Sequence, residues 1–143
     1  VWEDEFVSIQ ERYKRGVFAL DTALFLHDLT DRTPHKFHMA FPYGYNTSSP
    51  KAAGILCSCK KEPYYSLGIA LVDTPAGNTV RAYNAEKTLC EILKPISHTD
   101  IQIITDAFKR YAGRKDKNIP LLSEYAHQLR VEKRLRPYLE VLL

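Results

Sequence analysis

Apolar positions recur at helical spacing through the first thirty residues and then change period. Phe6, Ile9 and Tyr13 predict one short helix, and Leu20, Ala23, Leu24 and His27 a second, with Gly16 punctuating between them. From Lys36 the pattern shortens: "KFHMAF" alternates, "YGYNTSSP" is turn-rich, and "AGILCSC" is an apolar run. "GIALVDTPAGNTVRAY" reads as two strands joined by a Gly-Asn turn, so the middle of the chain predicts a mostly antiparallel sheet. Beyond it, Asn84 can cap a helix running to about Leu93. Thr99 or Asp100 opens another to about Tyr111, and Asn118 with Pro120 starts a third. Neither a linker nor an internal repeat interrupts this order. The expectation is one α+β domain over residues 1–143, with a central antiparallel or mixed sheet flanked by helices and a helical C-terminal third.

Length and composition agree with a folded domain. A chain of 143 residues, 45% hydrophobic and 26% charged, can bury about two thirds of its unfolded surface. No apolar run approaches the roughly 20 residues that a membrane-spanning helix requires. The opening "VWEDEFVSIQERYK" is acidic and then helical, without the basic and apolar regions of a signal peptide, and its abrupt start suggests a preceding segment. Cys57, Cys59 and Cys90 are odd in number, and a C-x-C pair in a strand places both thiols on one face rather than in bridging geometry. They read as core thiols in a reducing, cytoplasmic compartment. His35 and His38 form an H-x-x-H, but on a strand this spacing sends the rings to opposite faces, so no metal site is expected.

The stretch "LFLHDLTDRTPHKFHM" concentrates polar chemistry at the passage from helix to sheet. Leu24, Leu26 and Leu29 are the last apolar positions of the second helix, and Thr30 to Pro34 cannot continue it, since Pro34 disfavours α geometry at Thr33. Asp31 and Thr33 are natural acceptors for the free N–H groups of such a turn, and Arg32 can tie it to a carboxylate or to helix C-terminal carbonyls. Asp31, Arg32 and Pro34 therefore read as a structural junction, with a partner-binding corner as the other reading. Asp28 and Asp31 as an acid–base pair would need a third group and a pocket, which the sequence does not locate.

Charge is asymmetric. Residues 1–83 carry nine basic and nine acidic side chains and residues 84–143 carry eleven and eight, so the net +3 lies wholly in the C-terminal part. Lys109, Arg110, Arg114, Lys115 and Lys117 form one basic stretch, and Arg130, Lys133, Arg134 and Arg136 a second. Such clusters attract phosphate at long range, yet a solvated face or cations at a helix C-terminus would look the same. Tyr43, Tyr45, Tyr64 and Tyr65 can stack bases or pack at half-buried positions. A metal-dependent nuclease would need an acid followed by an E-x-K on adjacent strands. Asp73 could be the first acid, but the next strand offers Arg81-Ala82-Tyr83, while Glu86 and Lys87 fall in the helix beyond.

Four segments together carry a family resemblance: "ALFLHDLTDRTP", "FPYGYN", "DTPAGNTVRAYNAEKTLCEIL" and "FKRYAGRKDKNIPLLSEYAHQLRVEKRLRPYLEVLL". In this order, over most of the chain, they resemble the AbiEi antitoxins, regulators from bacterial abortive-infection toxin–antitoxin operons that act in phage defence. The resemblance implies a winged-helix DNA-binding domain, an antitoxin domain after it and a nucleotidyltransferase toxin encoded alongside. It extends only to the second part, without the N-terminal winged helix. Ala19 stands where the family pattern favours a Ser-like N-cap, and Pro137 interrupts a terminal helix, predicting a kink near Arg136. The expected function is thus a non-enzymatic antitoxin and transcriptional-regulator domain, without cofactor or metal, whose partners are the cognate toxin and operator DNA or RNA. The alternative is a protein- or nucleic-acid-binding module of a regulator unrelated to toxin control.

Overall fold

The computed structural model describes residues 4–142, and side chains as far as residue 140; the first three residues of the acidic opening and the last residue fall outside it. Helix α1 (Glu5–Arg12) begins at Asp4, whose carboxylate accepts the Phe6 and Val7 N–H groups and also the Thr74 hydroxyl and the Asn78 amide. Helix α2 (Leu20–Leu26) follows a two-residue strand, β1 (Val17–Phe18), which the helical periodicity on either side conceals. Ala19 is the N-cap of α2 and supplies no side-chain hydrogen bond.

The sheet contains β1, β2 (His38–Pro42), β3 (Leu56–Lys60), β4 (Ile69–Asp73) and β5 (Thr79–Tyr83), in the order β3-β2-β1-β5-β4. It is mixed rather than mostly antiparallel: β2 with β1 and β4 with β5 run antiparallel, whereas β3 with β2 and β1 with β5 run parallel. A parallel neighbour requires a crossover, not a hairpin. The turn-rich "YGYNTSSP" accordingly belongs to a crossing from β2 to β3 that contains a short helix, α3 (Ser48–Ala52). The hairpin β4–β5 closes over Gly77 at φ 90°, with Thr74 and Asn78 bonded across the turn. The alternation expected of "KFHMAF" is absent from burial, because β2 is covered on both faces and Met39, Ala40 and Phe41 are all inaccessible.

Side chains alternate across the sheet and divide the core. On one face Phe18, Met39, Phe41, Val80 and Ala82 pack with Phe6 of α1 and with Tyr13 at its C-terminal cap. On the other, Val17, Ala40 and Tyr83 meet Tyr65. The largest apolar cluster belongs to the helices α4 (Ala85–Ile92), α5 (Ile101–Ala112), α6 (Ile119–Gln128) and α7 (Glu132–Leu142), with Leu24 and Leu29 brought to it by α2. Asn84, Asp100 and Asn118 cap α4, α5 and α6 through side-chain oxygens, as their positions predict. The fold is α+β, with a helical C-terminal third.

Helix ends depart from expectation. α2 stops at Leu26, well before Pro34, because Asp28 turns into the left-handed region at φ 57°. The Leu29 N–H then reaches the Leu24 carbonyl at 2.9 Å and the Asp28 N–H the Phe25 carbonyl at 3.2 Å, which is the Schellman closure usually made with glycine. Arg130, at φ 60°, closes α6 in the same way through Val131 N–H to Ala126. Helix α7 continues through Pro137. No helix among the described residues is long and apolar enough to cross a membrane.

Candidate functional site

The first basic stretch lies at the end of α5 and in the loop to α6, and much of it serves the fold. Arg110 pairs with Asp106 one turn earlier at 2.9 Å. Arg114 holds Asp116 through two nitrogens at 2.9 Å each and donates at 2.7 Å to the His27 carbonyl, which the left-handed Asp28 leaves open at the end of α2. His27 in turn bonds the Tyr83 carbonyl through Nε2 at 2.8 Å. A carbonyl can only accept, so this nitrogen carries the proton, and burial depresses the pKa of the imidazole. Lys117 donates to the Ala112 carbonyl at 2.8 Å, closing the end of α5. The same loop is fixed by Tyr111, whose hydroxyl donates to the buried Glu86 at 2.6 Å and accepts the Asn118 N–H at 2.7 Å. Burial, reinforced by Glu86, raises the Tyr111 pKa well above the phenolic range.

What is left is a set of uncommitted cations. Among the described residues Lys109, Lys115, Arg130, Lys133, Arg134 and Arg136 form no ion pair and no side-chain hydrogen bond, and all six are exposed. Arg130, Lys133 and Arg134 surround a shallow depression with Glu132. Glu132 is engaged by His127 at 3.0 Å.

The junction residues are less committed than their chemistry suggested. Asp31 is exposed without a side-chain hydrogen bond among the described residues, and Thr30 rather than Asp31 or Thr33 accepts a turn N–H, that of Arg32 at 3.2 Å. Burial raises the Asp21 pKa, with the Arg32 guanidinium opposing the shift. Pro34, Thr33 and Arg32 border a cleft of about 300 Å³ shared with Asp21 and Ile103. The tyrosines divide: Tyr65 is buried with its hydroxyl on the Arg15 carbonyl, Tyr45 stacks on Phe41 at 4.6 Å, and Tyr43 and Tyr64 are exposed. Asp73 ends β4 at the surface, whereas Glu86 and Lys87 are buried in α4 and engaged there.

Sequence reasoning missed a buried ionic network between α4 and the β2–β3 half of the sheet. Lys87 has no accessible side chain, and its Nζ donates to the Tyr64 and Leu67 carbonyls at 2.8 and 2.9 Å. It also lies 3.8 Å from the centre of the Tyr83 ring. Glu91, one turn on, has Oε1 at 3.4 Å from Lys87 Nζ and 3.2 Å from Lys60 Nζ, close enough for charge attraction but without hydrogen-bond alignment, and Oε2 accepts from Lys60 at 3.3 Å. Burial takes the Lys87 pKa down to about 8 against the pull of Glu91. For Glu91 burial acts upward, but the ammonium groups of Lys60, Lys87 and Lys94 together hold the carboxyl below its ordinary range. Gly68, at φ +81°, makes room for this arrangement, since a Cβ there would lie 2.7 Å from that of Lys87. The signal available in sequence was the i, i+4 spacing of Lys87 and Glu91 in α4.

Lys60 brings this network to the floor of an open groove of about 780 Å³ along β3, bounded on its far side by the 3-10 turn Pro95–Ser97. His38 and Ser58 sit in it, with Nε2 and Oγ 2.6 Å apart, and burial, followed by the Lys60 charge, lowers the His38 pKa to about 4. All three cysteines are free: Cys90 is buried, with its pKa pushed up to about 12 by desolvation, Cys57 is half-buried and Cys59 exposed, so only Cys90 is fully a core thiol. Among the described residues no group of three or more His, Cys, Asp or Glu side chains gathers as a metal site would. No protein-family model and no curated protein matches this chain.

Proposed function

We propose that this domain is a non-enzymatic antitoxin and regulatory domain of AbiEi type, acting in the cytoplasm. It opposes a cognate nucleotidyltransferase toxin and supports operator binding by a winged-helix domain. The ordered resemblance of the four segments supports the assignment to toxin control. The observation that carries a binding role is the set of six cations in the helical third, Lys109, Lys115, Arg130, Lys133, Arg134 and Arg136, left without intrachain partners among the described residues. Cations that stabilise nothing internally are available to phosphate, and each phosphate they neutralise releases counterions. The same surface would also suit a regulator outside toxin control, which is the second reading.

The test replaces Lys109, Lys115, Lys133 and Arg134 together by Ala. Binding to operator DNA and to RNA is measured across salt concentrations, alongside rescue of cells expressing the nucleotidyltransferase encoded beside the gene. Each lost contact should flatten the log–log salt dependence by about 0.9 on duplex DNA or about 0.7 on single strands. Loss of both binding and rescue supports neutralisation through nucleic acid. Loss of binding with full rescue favours the regulator reading, and no change in either property refutes the role given to these cations.

A further inference from the structure

The groove along β3 has a second property, independent of the antitoxin reading: it exposes a strand edge. β3 is the outermost strand on its side of the sheet and, among the described residues, pairs only with β2. The Leu56 N–H donates to the Phe37 carbonyl and the Lys60 carbonyl accepts from Tyr43, each at 2.9 Å. Backbone groups alternate in direction along a strand, so the N–H and C=O groups of Cys57 and Cys59 point away from β2, toward the open side. Leu56 (48% exposed) and, across the groove, Ile96 (81% exposed) are apolar and uncovered. Lys36 and Lys51 line the same groove without ion-pair partners among the described residues, while Glu91 is neutralised by Lys60 and Lys87 and Asp21 faces Arg32.

We infer that this groove is a docking site for an acidic, extended peptide segment of a partner protein, which adds to β3 as a sixth strand. Unpaired strand edges recruit extended chains. The Cys57 and Cys59 carbonyls need donors and their N–H groups need acceptors. A peptide backbone supplies both, whereas the phosphates of a nucleic acid supply acceptors alone. Alternate side chains of the added strand would meet Leu56 and Ile96, and Lys36 and Lys51 select carboxylates. The five residues of β3 offer about 16 Å of edge at roughly 3.3 Å per residue. The other outer strand, β4, ends in Asp73, whose charge opposes an acidic segment.

The experiment uses the ¹⁵N-labelled full chain and an acetylated decapeptide of alternating Glu and Val as probe. Binding should shift the Cys57 and Cys59 amide resonances and slow their hydrogen exchange. Proline on an edge strand removes an outward N–H without costing a ladder bond, so Cys59→Pro should weaken the probe at least tenfold while Cys59→Ala leaves it unchanged. Lys36→Glu combined with Lys51→Glu should also weaken it at least tenfold. A probe methylated at alternate backbone nitrogens should fail on the unaltered protein, which keeps the test valid even if Cys59→Pro does not fold. The inference is overturned by undisturbed Cys57 and Cys59 amides at millimolar probe, by equal binding of the methylated probe, by a ten-nucleotide dT strand binding as well as the peptide, or by a dimer of this chain occupying the same edge.

Discussion

Lys87 and Glu91 allow the energetics of the interior to be tested directly. Replacing Glu91 by Leu removes the carboxylate that faces an ammonium with no accessible surface. Lys60 retains some access to solvent and can turn outward, whereas Lys87 is enclosed by α4, Tyr83 and the segment from Tyr64 to Gly68. Stranding one member of a buried pair costs about 3–5 kcal/mol. Lys87→Met leaves Glu91 with Lys60 but orphans the Tyr64 and Leu67 carbonyls, at about 1–2 kcal/mol each. The double replacement Lys87→Met with Glu91→Leu removes both charges and leaves only the orphaned carbonyls. It should therefore be more stable than the sum of the single losses by about 3 kcal/mol, the upper range for directly coupled neighbours. Urea denaturation of the four proteins at neutral pH measures each term. Additive losses, or a Glu91→Leu cost below about 1 kcal/mol, would refute the view that Lys87 depends on this carboxylate.

Three further outcomes are expected from the same geometry. His38 holds a proton less readily folded, at about 4, than its ordinary 6.5, so its contribution is present above pH 6.5 and is lost as pH falls toward 4. Between pH 7 and pH 5 the unaltered protein should lose about 2 kcal/mol more than His38→Gln by urea denaturation at each pH, and equal losses would exclude this source. Arg114→Ala should cost about 1–2 kcal/mol, chiefly through the bond to the His27 carbonyl, whereas Lys115→Ala should leave the melting temperature unchanged; equal effects would contradict the division drawn within the basic loop. Asp28→Gly should stabilise by about 0.5–1 kcal/mol, since glycine adopts the left-handed conformation at that helix end without a Cβ penalty, and a lower melting temperature would mean that the Asp28 side chain contributes something its exposed position does not suggest.

Features written in neighbouring residues were legible in the sequence. Asn84, Asp100 and Asn118 announce helix starts because a capping side chain bonds two or three residues along its own chain, and "PAGN" marks a hairpin because the turn is local. Burial and pairing between distant segments were not. β1 is too short to have a period, and its place between β2 and β5 depends on chain far from it. The end of α2 was misplaced because proline is a visible breaker, whereas a left-handed Asp28 leaves no mark in composition. The basic stretches were visible as charge, but only geometry separates Arg114 and Lys117, which close helix ends, from Lys109 and Lys115, which form no ion pair or side-chain hydrogen bond among the described residues. The buried network was hidden for the opposite reason, since the i, i+4 spacing of Lys87 and Glu91 is equally that of an exposed helix pair, and only the fold brings Lys60 of β3 beside them.

Strand β1 aligns with β5 at a single register pair, Phe18 with Ala82. Beside that pair Gln10 of α1 stands in for a missing rung: its Nε2 donates to the Gly16 carbonyl at 2.9 Å and its Oε1 accepts the Arg81 N–H at 2.7 Å. Between the β2–β3 crossover unit and the β4–β5 hairpin the sheet is thus continued by the two residues of β1 and one carboxamide, with the shared apolar clusters and the Lys60–Glu91 pair adding side-chain contact. Each unit can assemble from its own contiguous stretch of chain, but their union awaits the N-terminal segment, whose rungs to β5 close loops of more than sixty residues, the kind of closure that slows folding. Native-state hydrogen exchange at Arg81 reports on this seam, because that amide is bonded to the Gln10 side chain of α1 rather than to a neighbouring strand.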